Sequence, residues 1–228
     1  MMKRLTAPKF WPIERKQGKF IISPRTGPHS KKTCMPLGMI LRDVFKYAAN
    51  MKEAKAILNS GKIKVDGRVR KDYKFSVGLM DIVTIGDESF MILPSHRGFS
   101  FKKLKKNETH IKLLKIRNKV CNAGKIQLNF HDGTNMLVDS NKYKTNEVVL
   151  FDIEKKQIKE VLELKKGSTI IILSGKSIGA VGTVEKIIVT RSSQPNMVVV
   201  KTGEKKIAVP IGYVFVVGDE APVIDLGE

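Results

Sequence analysis

Residues 57–72 read ILNSGKIKVDGRVRKD. A helix-like run stops at Gly61, a strand-like run follows, and the chain turns at Asp66-Gly67. Ile63 and Val65 alternate with Lys62 and Lys64, so a strand here has one apolar and one basic face. Val69 must also face inward if the sheet has a core, and residues paired across a hairpin share a face. A two-residue turn would pair Val65 with Arg68 and Lys64 with Val69, mixing the faces. A three-residue turn, or a bulge at Arg68, pairs Val65 with Val69 and Lys64 with Arg70. We therefore expect the odd turn, with Lys62, Lys64 and Arg70 on one face and Arg68 at the tip.

Upstream, residues 37–48 place Leu37, Ile40, Leu41, Val44, Phe45 and Ala48 at helical spacing, which predicts an amphipathic helix showing Arg42, Asp43 and Lys46 outward. Asn50 can cap a second helix, with Glu53 placed three residues on as in a capping box. That helix buries Ala54, Ile57 and Leu58, projects Lys52, Lys55 and Asn59, and ends at Gly61 as a left-handed C-cap. Short strands within 78–85 and 90–93 would complete a small sheet. Helix, helix and hairpin with a cationic edge suit a phosphate backbone, where Lys and Arg displace condensed counterions.

Bulk charge points to the same partner. The 228 residues carry 42 Lys and Arg against 22 Asp and Glu, a formal +20, which draws polyanions. The sequence has no apolar run long enough to span a bilayer and no signal or lipidation motif, so we expect no membrane. Residues 1–35 hold nine basic residues against one acid, and 96–119 again nine against one; residues 171–228 balance at six against six. Cys34 and Cys121 fit no metal or redox spacing and read as idle thiols of a reducing cytosol.

Residues 1–36 hold five prolines and no helical periodicity, which predicts an extended basic arm. Its apolar residues are too many for a solvated tail, so we expect it to fold against RNA and its neighbours, with Trp11 packed. Its candidate RNA contacts are Lys3, Arg4, Lys9, Trp11, Arg15, Lys16, Lys19, Arg25, His29, Lys31 and Lys32. Downstream, Arg42, Lys46, Lys52, Lys55, Lys62, Lys64, Arg68 and Arg70 join them.

Ala54, Ile57 (or Leu58), Gly61, Ile63, Val65, Asp66 and Gly67 match the hallmark of the S4-type RNA-binding fold, which residues 37–95 resemble. The flanks KRLTAPKFWPIERKQGKF, PRTGPHS, LRDVFKYAANMKEAKAIL and VDGRVRKDYKFSVGLMDIV resemble one family more closely, the small-subunit ribosomal protein S-four-e of archaea and eukaryotes. The likeness continues through KIRNK and GKIQLNFHDGTN to the C-terminal half, whose short end looks more like the archaeal form. The resemblance implies small-subunit ribosomal RNA and neighbouring ribosomal proteins as partners, a structural role, and a mainly β central domain.

Residues 96–108 read as a basic linker with aromatics interleaved, which adds Arg97, Lys102, Lys103, Lys105 and Lys106 as RNA contacts. Beyond it, Leu114, Ile116 and Val120 alternate with Lys115, Arg117 and Lys119, and 126–131 alternate into an Asp132-Gly133 turn. Residues 173–187, LSGKSIGAVGTVEKI, lack the first glycine of a phosphate-binding loop, since Ile170 stands there. The remaining Gly175, Gly179, Gly182 and Val184 resemble the KOW motif of SH3-like barrels, with Lys176 as a loop contact; strands at 197–200, 206–210 and 213–217 fit a small barrel.

The expected fold is therefore α+β and multi-domain: arm 1–36, S4-type domain 37–95, linker and β-rich domain 96–168, and KOW barrel 169–228. The four histidines show no metal-ligand spacing and no nucleophile or carboxylate pair stands out, so we expect no catalysis, metal, cofactor or small-molecule substrate. The competing readings are an accessory protein of an RNA-modifying enzyme and a KOW-bearing transcription elongation factor. An enzyme would need a further catalytic domain for which the chain has little room.

Overall fold

The computed structural model describes residues 2–105, 108–122, 124–203, 205–219 and 221–224. The chain divides into two compact units, 1–93 with 97–110 and 94–96 with 111–228.

In the first unit, β1 (Met2–Lys3) pairs with β2 (Phe20–Ile21), and β3 (Cys34–Pro36) pairs with β6 (Ser76–Gly78). Helix α1 (Leu37–Met39) runs into a π-helical turn at Ile40–Val44, shorter than the helix expected over 37–48. Lys46 takes a left-handed φ of 56°, and that ends the element. Helix α2 (Met51–Asn59) begins as expected: the Asn50 side chain accepts from the Glu53 amide at 3.0 Å, and Glu53 accepts from the Ala49 amide at 2.8 Å. Gly61, with φ +75°, follows its end in the left-handed conformation of a C-cap.

Strands β4 (Ile63–Val65), β5 (Arg68–Val69), β7 (Ile82–Ile85), β8 (Glu88–Ser95) and β9 (Gly98–Lys103) form a sheet in the order β5-β4-β7-β8-β9. The segment read as the start of a linker is thus the edge strand of this sheet. Its Gly98, at φ +121°, lets the arm lie against it: an added Cβ would meet the Phe10 carbonyl oxygen at 2.2 Å. The Phe99 amide donates to that same oxygen at 2.9 Å.

One core gathers Ala7, Trp11 and Ile21 from the arm with Leu37, Ile40, Leu58, Ile63, Val65 and Ile92. The Trp11 indole donates to the Cys34 carbonyl at 2.9 Å. The arm therefore folds onto its own unit, as the packing of Trp11 required.

In the second unit, β10 (Ile111–Asn122), β11 (Lys125–Phe130), β12 (Asn135–Val138), β13 (Val148–Asp152) and β14 (Gln157–Leu162) form an antiparallel sheet in the order β12-β11-β10-β13-β14. A register shift between Ile116 and Asn118 interrupts the expected alternation. Leu114 and Ile116 stay in the core, whereas Val120 is 45% exposed and Lys115 is buried. A second five-stranded antiparallel sheet follows, built of β15 (Thr169–Ile172), β16 (Val181–Ile188), β17 (Met197–Thr202), β18 (Lys205–Pro210) and β19 (Val214–Gly218), in the order β18-β17-β16-β15-β19. Gly175 and Gly179 in the loop before β16 have φ of +101° and +81°. Both cysteines are free thiols; Cys34 is buried and Cys121 exposed. Burial, then the charge of Asp81, pushes the Cys34 thiol up to about 11. Among the described residues no helix is long and apolar enough to cross a membrane.

Candidate nucleic-acid interface

The β4–β5 hairpin differs from the expected one. Lys64 pairs with Val69 and Val65 with Arg68, so the turn has two residues. Asp66 at φ 49° and Gly67 at φ 73° give it the primed form that matches strand twist. The Asp66 amide donates to the Ile82 carbonyl at 2.9 Å, and its carboxylate accepts from the Ile82 amide at 3.0 Å. This double latch onto β7 fixes the short turn. The inward Val69 that motivated the longer one is absent: β5 is a two-residue edge strand, and Val69 is 47% exposed.

The cations divide accordingly. Lys62 and Lys64 are exposed on the outer face, together with Val69. Arg68 is exposed at the edge, on the opposite face. Arg70, expected beside Lys64, instead donates its amide to the Ile63 carbonyl at 3.1 Å and stacks its guanidinium 4.4 Å from the Phe75 ring centre. Lys55 of α2 and Lys74 lie 4.4 and 5.6 Å from the Tyr73 ring centre. These cation–π contacts hold long side chains in place; Lys55 stays exposed, whereas Lys74 and Arg70 are half-buried and the Arg70 Nε is itself buried. Lys74, Tyr73 and Phe75 escaped the sequence reading; the signal was the alternation of cation and ring in KDYKF (71–75).

Of the other candidates, Lys3, Lys9, Lys16, Lys19, Arg25, Lys31, Lys32, Lys46, Lys52, Arg97, Lys103 and Lys105 are exposed in the first unit and Lys176 in the second. Arg15, Arg42 and Lys102 are half-buried, and Lys106 lies outside the described residues. Some exposed cations have acidic partners: Arg25 approaches Asp72 at 3.8 Å, and Lys103 pairs with Glu88. Neighbouring groups act on both sides of the second pair, the hydrogen bond to Lys103 lowering the Glu88 pKa and the hydrogen bond to Glu88 raising that of Lys103.

Three candidates are buried: for Arg4 and His29 this corrects the solvent-facing placement expected of arm residues, whereas Trp11 is packed as expected. Arg4 is 4% exposed; its Nη2 lies 3.1 Å from Asp43, and its Nε donates to the Glu14 carbonyl. Trp11 lies in the core. His29 is 7% exposed with Nε2 2.8 Å from Asp81. A charged group that leaves water must find a partner, and here the partners are internal carboxylates and carbonyls. Arg15 is also turned inward, donating to the Ala7 and Pro8 carbonyls at 2.8 and 2.7 Å. Arg42 bonds Asp43 at 2.9 and 3.0 Å.

Comparison with known proteins finds three matching family models. The model of the RS4NT (NUC023) domain matches residues 2–32, that of the S4 domain residues 45–83, and that of the ribosomal family S4e residues 86–158. The chain is 42% identical to the small ribosomal subunit protein eS4 of Archaeoglobus fulgidus, over 99% of this chain and 97% of that one. It is 40% identical to the eS4 of Methanocella arvoryzae, over 98% and 96%. Among solved structures, the crystal structure of the 30S ribosomal protein S4e from Thermoplasma acidophilum is similar with a TM-score of 0.73 at 30% identity, covering 82% of this chain and 96% of that one.

Proposed function

Because the chain belongs to the S4e family of small-subunit ribosomal proteins, we propose that it is a structural constituent of the small ribosomal subunit, located on the ribosome in the cytoplasm. It binds that subunit's ribosomal RNA and abuts neighbouring ribosomal proteins. The observation that carries this reading is a likeness running the whole length of the chain to relatives of that name, together with an S4 domain whose hairpin leaves Lys62, Lys64 and Arg68 exposed. The contacts of this surface are to phosphates and shape. A-form RNA keeps its major-groove base edges in a deep, narrow groove that side chains cannot read, and point-charge lysines carry no base code.

Four parts serve this role: the arm 1–36, the S4-type domain 37–95, the β-rich region 96–168 and a KOW-type SH3-like barrel 169–228. The antiparallel five-stranded sheet and the left-handed glycines at 175 and 179 support the last. A role without catalysis follows from the family. Neither an enzyme's accessory protein nor an elongation factor accounts for a match that covers the whole chain.

Co-sedimentation tests the proposal. The protein should travel with small-subunit particles at moderate salt and leave them as salt rises, since each neutralised duplex phosphate contributes nearly one unit of log–log slope. A protein that stays at the top of the gradient at low salt would refute it.

A further inference from the structure

Residues 171–228 are charge-balanced in sequence, and the only RNA contact read there was Lys176. The fold sorts those charges. Across β16, β17 and β18, Thr183 pairs with Lys201 and Lys201 with Lys206, while Lys186 pairs with Val199 and Val199 with Ala208. Residues two apart share a face, so Lys186, Lys201 and Lys206 project from one side of the sheet. Val184, Val198, Val200 and Val209 are buried on the other. The Gly167 amide donates to the Val184 carbonyl at 2.8 Å, which brings Lys166 beside the same strands. An open groove of about 690 Å³ results, lined by Lys166, Lys186 and Lys206, with Ile187 and Val199 as apolar lining and, among the described residues, Glu185 as its one carboxylate.

Two features of this face work against stability. Lys201 and Lys206 stand directly opposite each other on neighbouring strands, where like charges repel. Glu185 bonds Lys206 through one oxygen, while its other oxygen is buried without a partner. The hydrogen bond from Lys206, and then the charges of Lys206, Lys201 and Lys166, hold Glu185 below the usual carboxylate range, so it is ionised at neutral pH. Among the described residues one carboxylate faces the three lysines of the groove and Lys201 on the same side of the sheet, which leaves the face cationic. Glu185 offsets part of that repulsion, and places where a fold breaks a local rule are expected at functional surfaces.

We propose that this groove is a second RNA-binding surface, in which Lys166, Lys186, Lys201 and Lys206 hold phosphodiester groups of ribosomal RNA against the sheet. The inference rests on the ribosomal reading above and adds a site to it. Lysines without arginine suit phosphates held as point charges, and an open groove admits a continuous backbone.

The test uses the full chain with Lys186→Ala, Lys201→Ala and Lys206→Ala combined, with Lys62→Ala/Lys64→Ala in the first unit as the control. Affinity for protein-free small-subunit ribosomal RNA is titrated against salt, and thermal unfolding is followed in parallel. The groove variant should unfold at the wild-type temperature, lose about two to three units of salt slope and bind on the order of 10- to 100-fold more weakly. Wild-type binding by the groove variant, with the control weakened, overturns the groove and leaves the general reading intact. Wild-type binding by both overturns both. If the groove variant binds RNA normally yet fails to enter particles reconstituted with the other proteins, the surface meets an acidic protein and the proposal is wrong. Should the triple variant not fold, Glu185→Gln decides. Removing the lone carboxylate should tighten RNA binding several-fold, and unchanged or weaker binding overturns the inference.

Discussion

The arm, residues 1–36, and the hairpin, residues 62–70, are both rich in cations and use them in different ways. The arm turns Arg4 and Arg15 inward and buries Trp11, and its chain is threaded into the core and sheets of the first unit. The hairpin buries only Ile63 and Val65 and leaves Lys62, Lys64 and Arg68 in water. Density of positive charge therefore does not say which cation faces solvent. The arm also leaves Lys3, Lys9, Lys16, Lys19, Arg25, Lys31 and Lys32 exposed. What sets Arg4 apart is burial beside an internal carboxylate and carbonyl.

The strongest way to break this contrast is to delete residues 1–35. An independent arm would leave the S4-type core folded, as a reading of helix and strand faces alone suggests. The structure predicts the opposite: without Ala7, Trp11 and Ile21 in the core and Cys34 in β3, the first unit should lose cooperative unfolding altogether, as seen by circular dichroism. Trp11→Ala comes next. It should lower stability by about 3–5 kcal/mol in denaturant titration, through lost burial and an unpaired Cys34 carbonyl.

The second unit sharpens the comparison with a buried cation that lacks a carboxylate. Lys115 Nζ donates to the carbonyls of Ile211, Gly212 and Val214 at 3.1, 3.3 and 2.7 Å. Burial pulls its pKa from 10.5 down to about 8. Between those values the unfolded chain binds more protons than the folded one, so stability should rise with pH across that window, by on the order of 3 kcal/mol. Lys115→Met should abolish this contribution, which equilibrium unfolding at a series of pH values would detect. Breaking the arm's paired cation should do less: Asp43→Ala, which strands the buried Arg4 guanidinium, should lower stability by about 2 kcal/mol in the same titration.

Much of this was legible in sequence, and the failures share a cause. Helix α2, its Asn50–Glu53 cap, Gly61 and the strands near 197–218 follow from local spacing and local hydrogen bonds. The hairpin register was missed because it depends on Asp66 bonding to Ile82, sixteen residues away. Val120 leaves the core beyond a register shift that no alternation announces, and Lys115 is buried because the carbonyls of 211–214, about a hundred residues away, cover its face of the strand. The buried Arg4 and His29 look like any other polar residue of the arm until Asp43 and Asp81 are brought beside them. At the candidate site, Lys62 and Lys64 were readable from alternation. The stacking of Arg70 on Phe75 and the lysine face of β16–β18 exist only after folding.

The smallest expected change in stability belongs to the hairpin, and it carries the most direct test of the central claim, that its exposed lysines are there for phosphates. The measurement is the salt dependence of ribosomal RNA binding by Lys62→Ala/Lys64→Ala beside the wild-type protein, with thermal unfolding of both. The account predicts a stability change under ~0.5 kcal/mol, with affinity lowered across RNA sequences and the slope reduced by roughly two units. An unchanged slope, or a variant that unfolds, would contradict it.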